Sequence, residues 1–255
     1  MTHWVRFEHD GSEGFGTLSG ESIQLHEGDL FETPASTGRE LQLSEVRLLP
    51  PVRAGKLIAV WNNLRAAAEK YGWDEPPEPL YLLKPSSCII GQGASIQRPA
   101  SYDGRIVFEG ELGVIIGRRC KDVSESEAGD FIFGYTCVND VTALELIDAV
   151  KSFAQWTRSK GFDTFGALGP VAATGLDPAA LTVKTTLNGR ERQNYSVSDM
   201  FFGPTALVSH LSRNMTLEAG DVIACGTSLG VAPMKPGQTV EVIIDGIGTL
   251  SNRFE

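Results

Sequence analysis

Arg105-Ile-Val-Phe-Glu-Gly-Glu-Leu-Gly-Val-Ile-Ile-Gly117 is an apolar run with two carboxylates embedded in it. Its flanks read as a buried strand, and side chains two apart on a strand share a face. Glu109 and Glu111 therefore stand side by side, where like charges repel and each unpaired buried carboxylate is costly. A second apolar run, Phe131-Ile-Phe-Gly-Tyr-Thr-Cys-Val-Asn-Asp140, ends on a third carboxylate that a strand would deliver to the same rim. A divalent cation removes the cost of gathering three negative charges. With no imidazole nearby the donors are hard oxygens, which suit Mg²⁺ or Mn²⁺ rather than Zn²⁺. The bland alternative is a solvated strand edge with two exposed glutamates, and the apolar flanks argue against it.

The 255 residues allow one large core with a small appended domain. A formal charge of −10 excludes nucleic acid and anionic membrane as natural partners, although a metal and a few cations still let an acidic enzyme take anionic substrates. Cys88, Cys120, Cys137 and Cys225 lie far apart without a CxxC spacing, so buried thiols are expected rather than a disulfide framework. The chain opens on an alternating strand pattern, and neither a signal peptide nor a transmembrane run is visible, so a cytoplasmic protein is expected.

Along the chain, residues 1–50 read as a small N-terminal β domain of short strands with turns at Asp10-Gly11 and Ser19-Gly20, closed by Leu49-Pro-Pro-Val. His3, His9 and His26 are scattered through it without ligand spacing. Residues 55–255 form the second unit. Lys56–Trp61 reads as a buried strand, Asn62–Tyr71 as a helix ending at Gly72, and Asp74–Pro79 as a stiff acidic return before Leu80-Tyr-Leu-Leu-Lys-Pro. This helix and return are a lid candidate. A further helix is expected over 143–150 and a long, functional loop over 151–169. The last third is β-rich, with an Asn188-Gly189 hairpin and a helical pattern over 204–213 that carries a structural His210. The fold class is mixed, mainly β with a few helices.

From Leu57 to Asn252 the chain resembles the fumarylacetoacetate hydrolase superfamily. Phe108-Glu-Gly-Glu-Leu112 looks like its metal-binding E-x-E strand, and Asn139-Asp-Val-Thr-Ala143 like the strand with the third ligand. Lys160-Gly-Phe-Asp-Thr-Phe165 resembles its lysine loop, Asn188-Gly189 its hairpin, and Leu217–Ile223 its late strand. Gly226-Thr227 looks like its substrate-carboxylate turn. The resemblance implies a distorted β-roll, usually dimeric, around Mg²⁺ or Mn²⁺ held by Glu109, Glu111 and Asp140. The substrate it implies is a small 2-oxo acid, often dicarboxylic and from aromatic catabolism. By this likeness Lys160 supplies positive charge to a developing oxyanion, and Gly226 and Thr227 hold the substrate carboxylate. Gln155 and Arg158 are candidates for a second, distal carboxylate.

Two departures matter. The family lid usually reads Asn-Tyr-x-x-His with a glutamate three residues on, a pair that activates water for C–C hydrolysis. Here the stretch is Asn63-Leu-Arg-Ala-Ala67, and Glu69 is the nearest carboxylate to the expected acidic position. Alanine takes no proton. The second departure, Gly226-Thr-Ser-Leu-Gly230, replaces the usual Gly-Thr-Pro and alters the shape of the carboxylate turn. The reading favoured by these residues is an isomerase or decarboxylase working through a metal-stabilised enolate. It would lie near the 2-hydroxyhepta-2,4-diene-1,7-dioate isomerase and 5-carboxymethyl-2-oxo-hex-3-ene-1,7-dioate decarboxylase branch. The alternatives are an acylpyruvate-type hydrolase using Glu69 as base, a 2-oxo-acid dehydratase, and an inactive binding protein.

Overall fold

The computed structural model describes residues 1–255. It is mainly β, as the alternating patterns require. Ten strands run across one sheet in the order Ala35–Gln42, Ser22–Glu27, Ser12–Ser19, Thr2–His9, Gly166–Thr174, Ile132–Asp140, Gly110–Ile116, Val222–Ala224, Leu57–Trp61 and Leu80–Lys84. Arg47–Leu49 pairs with the first strand and Ile89–Ile90 with Gly166–Thr174. A four-stranded antiparallel sheet, Arg190–Ser196, Thr182–Leu187, Thr239–Ile244 and Gly248–Arg253, packs over it. Its two middle strands alternate strictly, so that Val183, Thr185, Leu187, Val240, Val242 and Ile244 face inward.

The Gly110–Ile116 strand is buried along its whole length because it sits mid-sheet with layers on both faces. That is the environment its apolar run calls for. Four short helices complete the chain: α1 (Arg65–Tyr71), α2 (Glu125–Ala128), α3 (Trp156–Lys160) and α4 (Pro204–Asn214). Pro204 stands at the first turn of α4, where its missing N–H costs nothing, and Leu207, Val208 and Leu211 form the buried stripe. His210 packs edge-on against Phe202, with ring centroids 5.4 Å apart. No helix is long and apolar enough to cross a membrane.

Several expected elements differ. The 143–150 stretch makes only a 3₁₀ turn at Leu144–Leu146, because Ile147 O accepts from Gln155 N (2.8 Å) instead of continuing a helix. The expected loop of 151–169 contains α3 and then the start of Gly166–Thr174, whose apolar residues are captured between two strands. The first lid helix begins at Arg65 rather than Asn62. Asn62 takes a left-handed φ of 54°, and the buried Asn63 amide instead ties the lid down. It donates to Cys225 O (2.9 Å) and Phe202 O (3.0 Å) and accepts from Phe202 N (2.9 Å). Residues 1–50 are all strand and turn but share the main sheet, since Thr2, His3 and Trp4 pair with Thr174, Ala173 and Ala172.

Candidate metal centre

Register assembles the acidic cluster. Gly110 pairs with Asn139 in the antiparallel ladder, so the next rung sets Glu109 beside Asp140, and Asp140 N donates to Glu109 O at 2.9 Å. Directly opposed residues on antiparallel strands share a face, and Glu111 joins them by the two-residue period. One carboxylate oxygen from each of the three lies within 4.8 Å of the others. Glu111 and Asp140 are fully buried, and Glu109 opens onto a cavity.

The peptide between the two glutamates is clamped on every side. Gly110 N donates to Gln193 Oε1 (3.0 Å), and Gly110 O accepts from Tyr195 (2.8 Å) and Thr227 (2.9 Å). Glu111 accepts from Gly226 N at 2.7 Å. Lys160, at the end of α3, points its buried ammonium at Asp140 Oδ2 (2.6 Å), Thr142 Oγ1 (2.7 Å) and Glu109 Oε2 (2.8 Å). Thr142 in turn donates to Glu109 Oε1 (2.8 Å). Lys84 reaches Asp140 Oδ1 from the other side, with Phe165 O at 3.0 Å.

Charge sorts these groups. Burial alone would raise Asp140, but Lys160 and Lys84 overcome it and hold the carboxyl below its ordinary value. Burial would likewise lower Lys160, yet Asp140, Glu109 and Glu111 keep the ammonium charged. Glu111 is pushed well up, by burial first and then by Asp140 and Glu109. Burial and the neighbouring carboxylates thus disfavour the charge on Glu111, the one carboxyl of the three without a hydrogen-bonded ammonium, and a divalent cation would stabilise it. The donors are all oxygen, and one from each carboxylate lies within 4.8 Å of the other two, close enough for small adjustments to bring them to the ~4.2 Å or less between ligands of octahedral Mg²⁺.

The residues expected at the site divide into two groups. Glu109, Glu111, Asp140, Lys160, Gly226 and Thr227 converge on one point. Gln155 caps the start of α3 with its side chain turned to Phe153 O, Arg158 is exposed, and neither lines the cavity. Glu69 is exposed while Ala67 lines the cavity. Two residues advance a helix by about 200°, so the two side chains leave opposite faces. Lys84, Thr142, Gln193 and Tyr195 were not singled out from sequence. Thr142 lies within the Asn139–Ala143 stretch that resembles the third-ligand strand, and Lys84 closes the strand Leu80-Tyr-Leu-Leu-Lys84.

The cavity beside Glu109 has a volume of about 330 Å³. Trp61, Trp156, Tyr71 and Trp73 form one wall, and Leu144, Ile147 and Val231 contribute to the others.

Fold and site together define a family. The fumarylacetoacetate hydrolase C-terminal model matches residues 56–255, and a Rv2993c-like N-terminal model matches residues 2–51. The chain belongs to the fumarylacetoacetate hydrolase family. It is similar to oxaloacetate tautomerase YisK of Bacillus subtilis, with 35% identity over 92% of this chain and 83% of that protein. Among solved structures it is similar to 2-hydroxyhepta-2,4-diene-1,7-dioate isomerase from Mycobacterium marinum. That likeness has a TM-score of 0.91 and 38% identity and covers 100% of this chain and 98% of the other. Fumarylpyruvate hydrolase from Pseudomonas aeruginosa, solved with Mn²⁺ and pyruvate, matches with a TM-score of 0.74 and 26% identity over 82% and 91% of the two chains.

Proposed function

We propose that this protein is a divalent-metal-dependent enzyme that enolises 2-oxo acids, as a tautomerase, isomerase or decarboxylase. The observation that carries the reading is the buried Lys160 ammonium against Glu109 and Asp140, with Glu109 opening onto a cavity in which Ala67 offers no proton acceptor. Such a site stabilises negative charge on oxygen and lacks a side chain poised to activate water. Glu109, Glu111 and Asp140 would hold Mg²⁺ or Mn²⁺, which supplies Lewis-acid polarisation of the chelated keto acid. With the cation bound, Lys160 would exchange one of its three hydrogen bonds for the developing enolate oxygen, and the C3 proton would pass to solvent water in the open cavity. Thr142 and Lys84 orient Lys160 and Asp140 through short hydrogen bonds. The tautomerase and isomerase relatives support this chemistry. Hydrolysis by Glu69 would require α1 to turn its exposed face inward.

The test is proton exchange at C3 of pyruvate and oxaloacetate in D₂O, followed by NMR with Mg²⁺ or Mn²⁺ present. Exchange should stop with chelator and should fall by at least ~10²-fold in Glu109→Gln and Asp140→Asn. Full rates in either variant would sink the assignment.

A further inference from the structure

The cavity beyond Glu109 is built for something other than a second carboxylate. Eleven of its 16 lining residues are hydrophobic. Trp61 packs against Trp73 (centroids 4.8 Å apart) and Trp156 (5.5 Å), and Trp73 continues to Tyr71 (4.8 Å). This makes one aromatic wall, and part of it is open: Tyr71 is 56% and Trp73 39% exposed. Large aromatics left half in water beside a reactive centre gain when an apolar group covers them.

The charges agree. The only cation lining the cavity is Arg105, and its Nε already donates to Glu145 Oε1 at 2.5 Å. Burial would raise Glu145, but hydrogen bonds from Tyr102 and Arg105 hold it at about 2, so it is ionised at neutral pH and cancels the guanidinium. Arg158 does not reach the cavity. A second carboxylate on the tail would therefore lie unpaired against tryptophan.

On the reading that the site takes 2-oxo acids, we infer that its substrate is a monocarboxylic 2-oxo acid with an aryl or branched-alkyl tail, seated on the Trp61, Trp73 and Trp156 wall. Trp73 and Ile147 then set specificity.

The comparison that decides this is 2-oxo-4-phenylbutanoate against 2-oxoglutarate, which differ only in phenyl for carboxylate at the end of the tail. Binding to the Mg²⁺-loaded protein is read by tryptophan fluorescence and calorimetry, with C3 exchange measured in parallel. The phenyl compound should bind at least about tenfold more tightly and quench tryptophan emission. Trp73→Ala should shrink that preference to about threefold or less, whereas a purely structural role would weaken both ligands equally. Ile147→Arg should move the preference toward 2-oxoglutarate. Equal or tighter binding of 2-oxoglutarate to the wild type would overturn the inference. So would a diacid preference that disappears in Arg105→Ala. If no 2-oxo acid exchanges at C3 yet the phenyl compound still binds more tightly, the enolisation reading fails and the tail pocket stands. If pyruvate exchanges and the phenyl group adds nothing, the reverse holds.

Discussion

A Cβ on Gly110 would lie 2.0 Å from Thr185 Oγ1, inside any tolerable contact. This residue separates the two glutamates, so whatever moves it moves both carboxylates. Gly110→Ala should destabilise the fold by about 1–3 kcal/mol, read by urea unfolding, and weaken Mg²⁺ binding in calorimetry. Wild-type values in both would show that the strand has room the packing denies. At this scale the acidic triad was legible, because carboxylates in apolar strands demand a partner and the two-residue period states which ones meet. The same logic holds for Lys84, a buried charge closing the Leu80–Lys84 strand. Nothing marked Gln193 or Tyr195. They lie on a polar strand whose inward face is set only by pairing with Thr182–Leu187.

Strand Leu80–Lys84 delivers its last side chain into the interior, where Lys84 and Lys160 hold Asp140 from opposite sides. Removing one partner of a buried ion pair leaves charge uncompensated. Lys84→Met should therefore cost about 3 kcal/mol in denaturant unfolding, with Mg²⁺ affinity altered because Asp140 is freed on one side. A change within experimental error would mean that Lys160 alone satisfies Asp140. The elements read from sequence with the best agreement were those with a full period, such as α4 and the Asn188-Gly189 hairpin. The 143–150 stretch misled because its helical spacing of Leu144 and Ile147 serves the cavity wall. Local pattern cannot distinguish a helix stripe from side chains recruited by a pocket.

Across the whole molecule, the four cysteines are buried and unpaired, as their wide spacing suggested. Burial pushes Cys88 up to about 11, Cys137 to about 12 and Cys225 further still, and it takes Tyr135 to about 12. Each group is neutral when protonated and has a folded value above its unfolded one. Its contribution to stability is thus complete below about pH 8.5 and is lost as pH rises toward the folded values. Urea midpoints should fall between roughly pH 9 and 12, and a thiol reagent at pH 8 should label four groups only after unfolding. Rapid labelling of the native protein would contradict this.

Residue order alone was enough to call for a mainly β fold and to single out three carboxylates that would meet, because strand periodicity and the cost of burying like charges are local properties. Tertiary packing settled the rest: the merging of residues 1–50 into the main sheet, the second lysine on Asp140, the clamp on Gly110 and the tryptophan wall. Each of these joins residues far apart in the chain, and only long-range strand register and side-chain burial bring such residues within a few ångströms of one another.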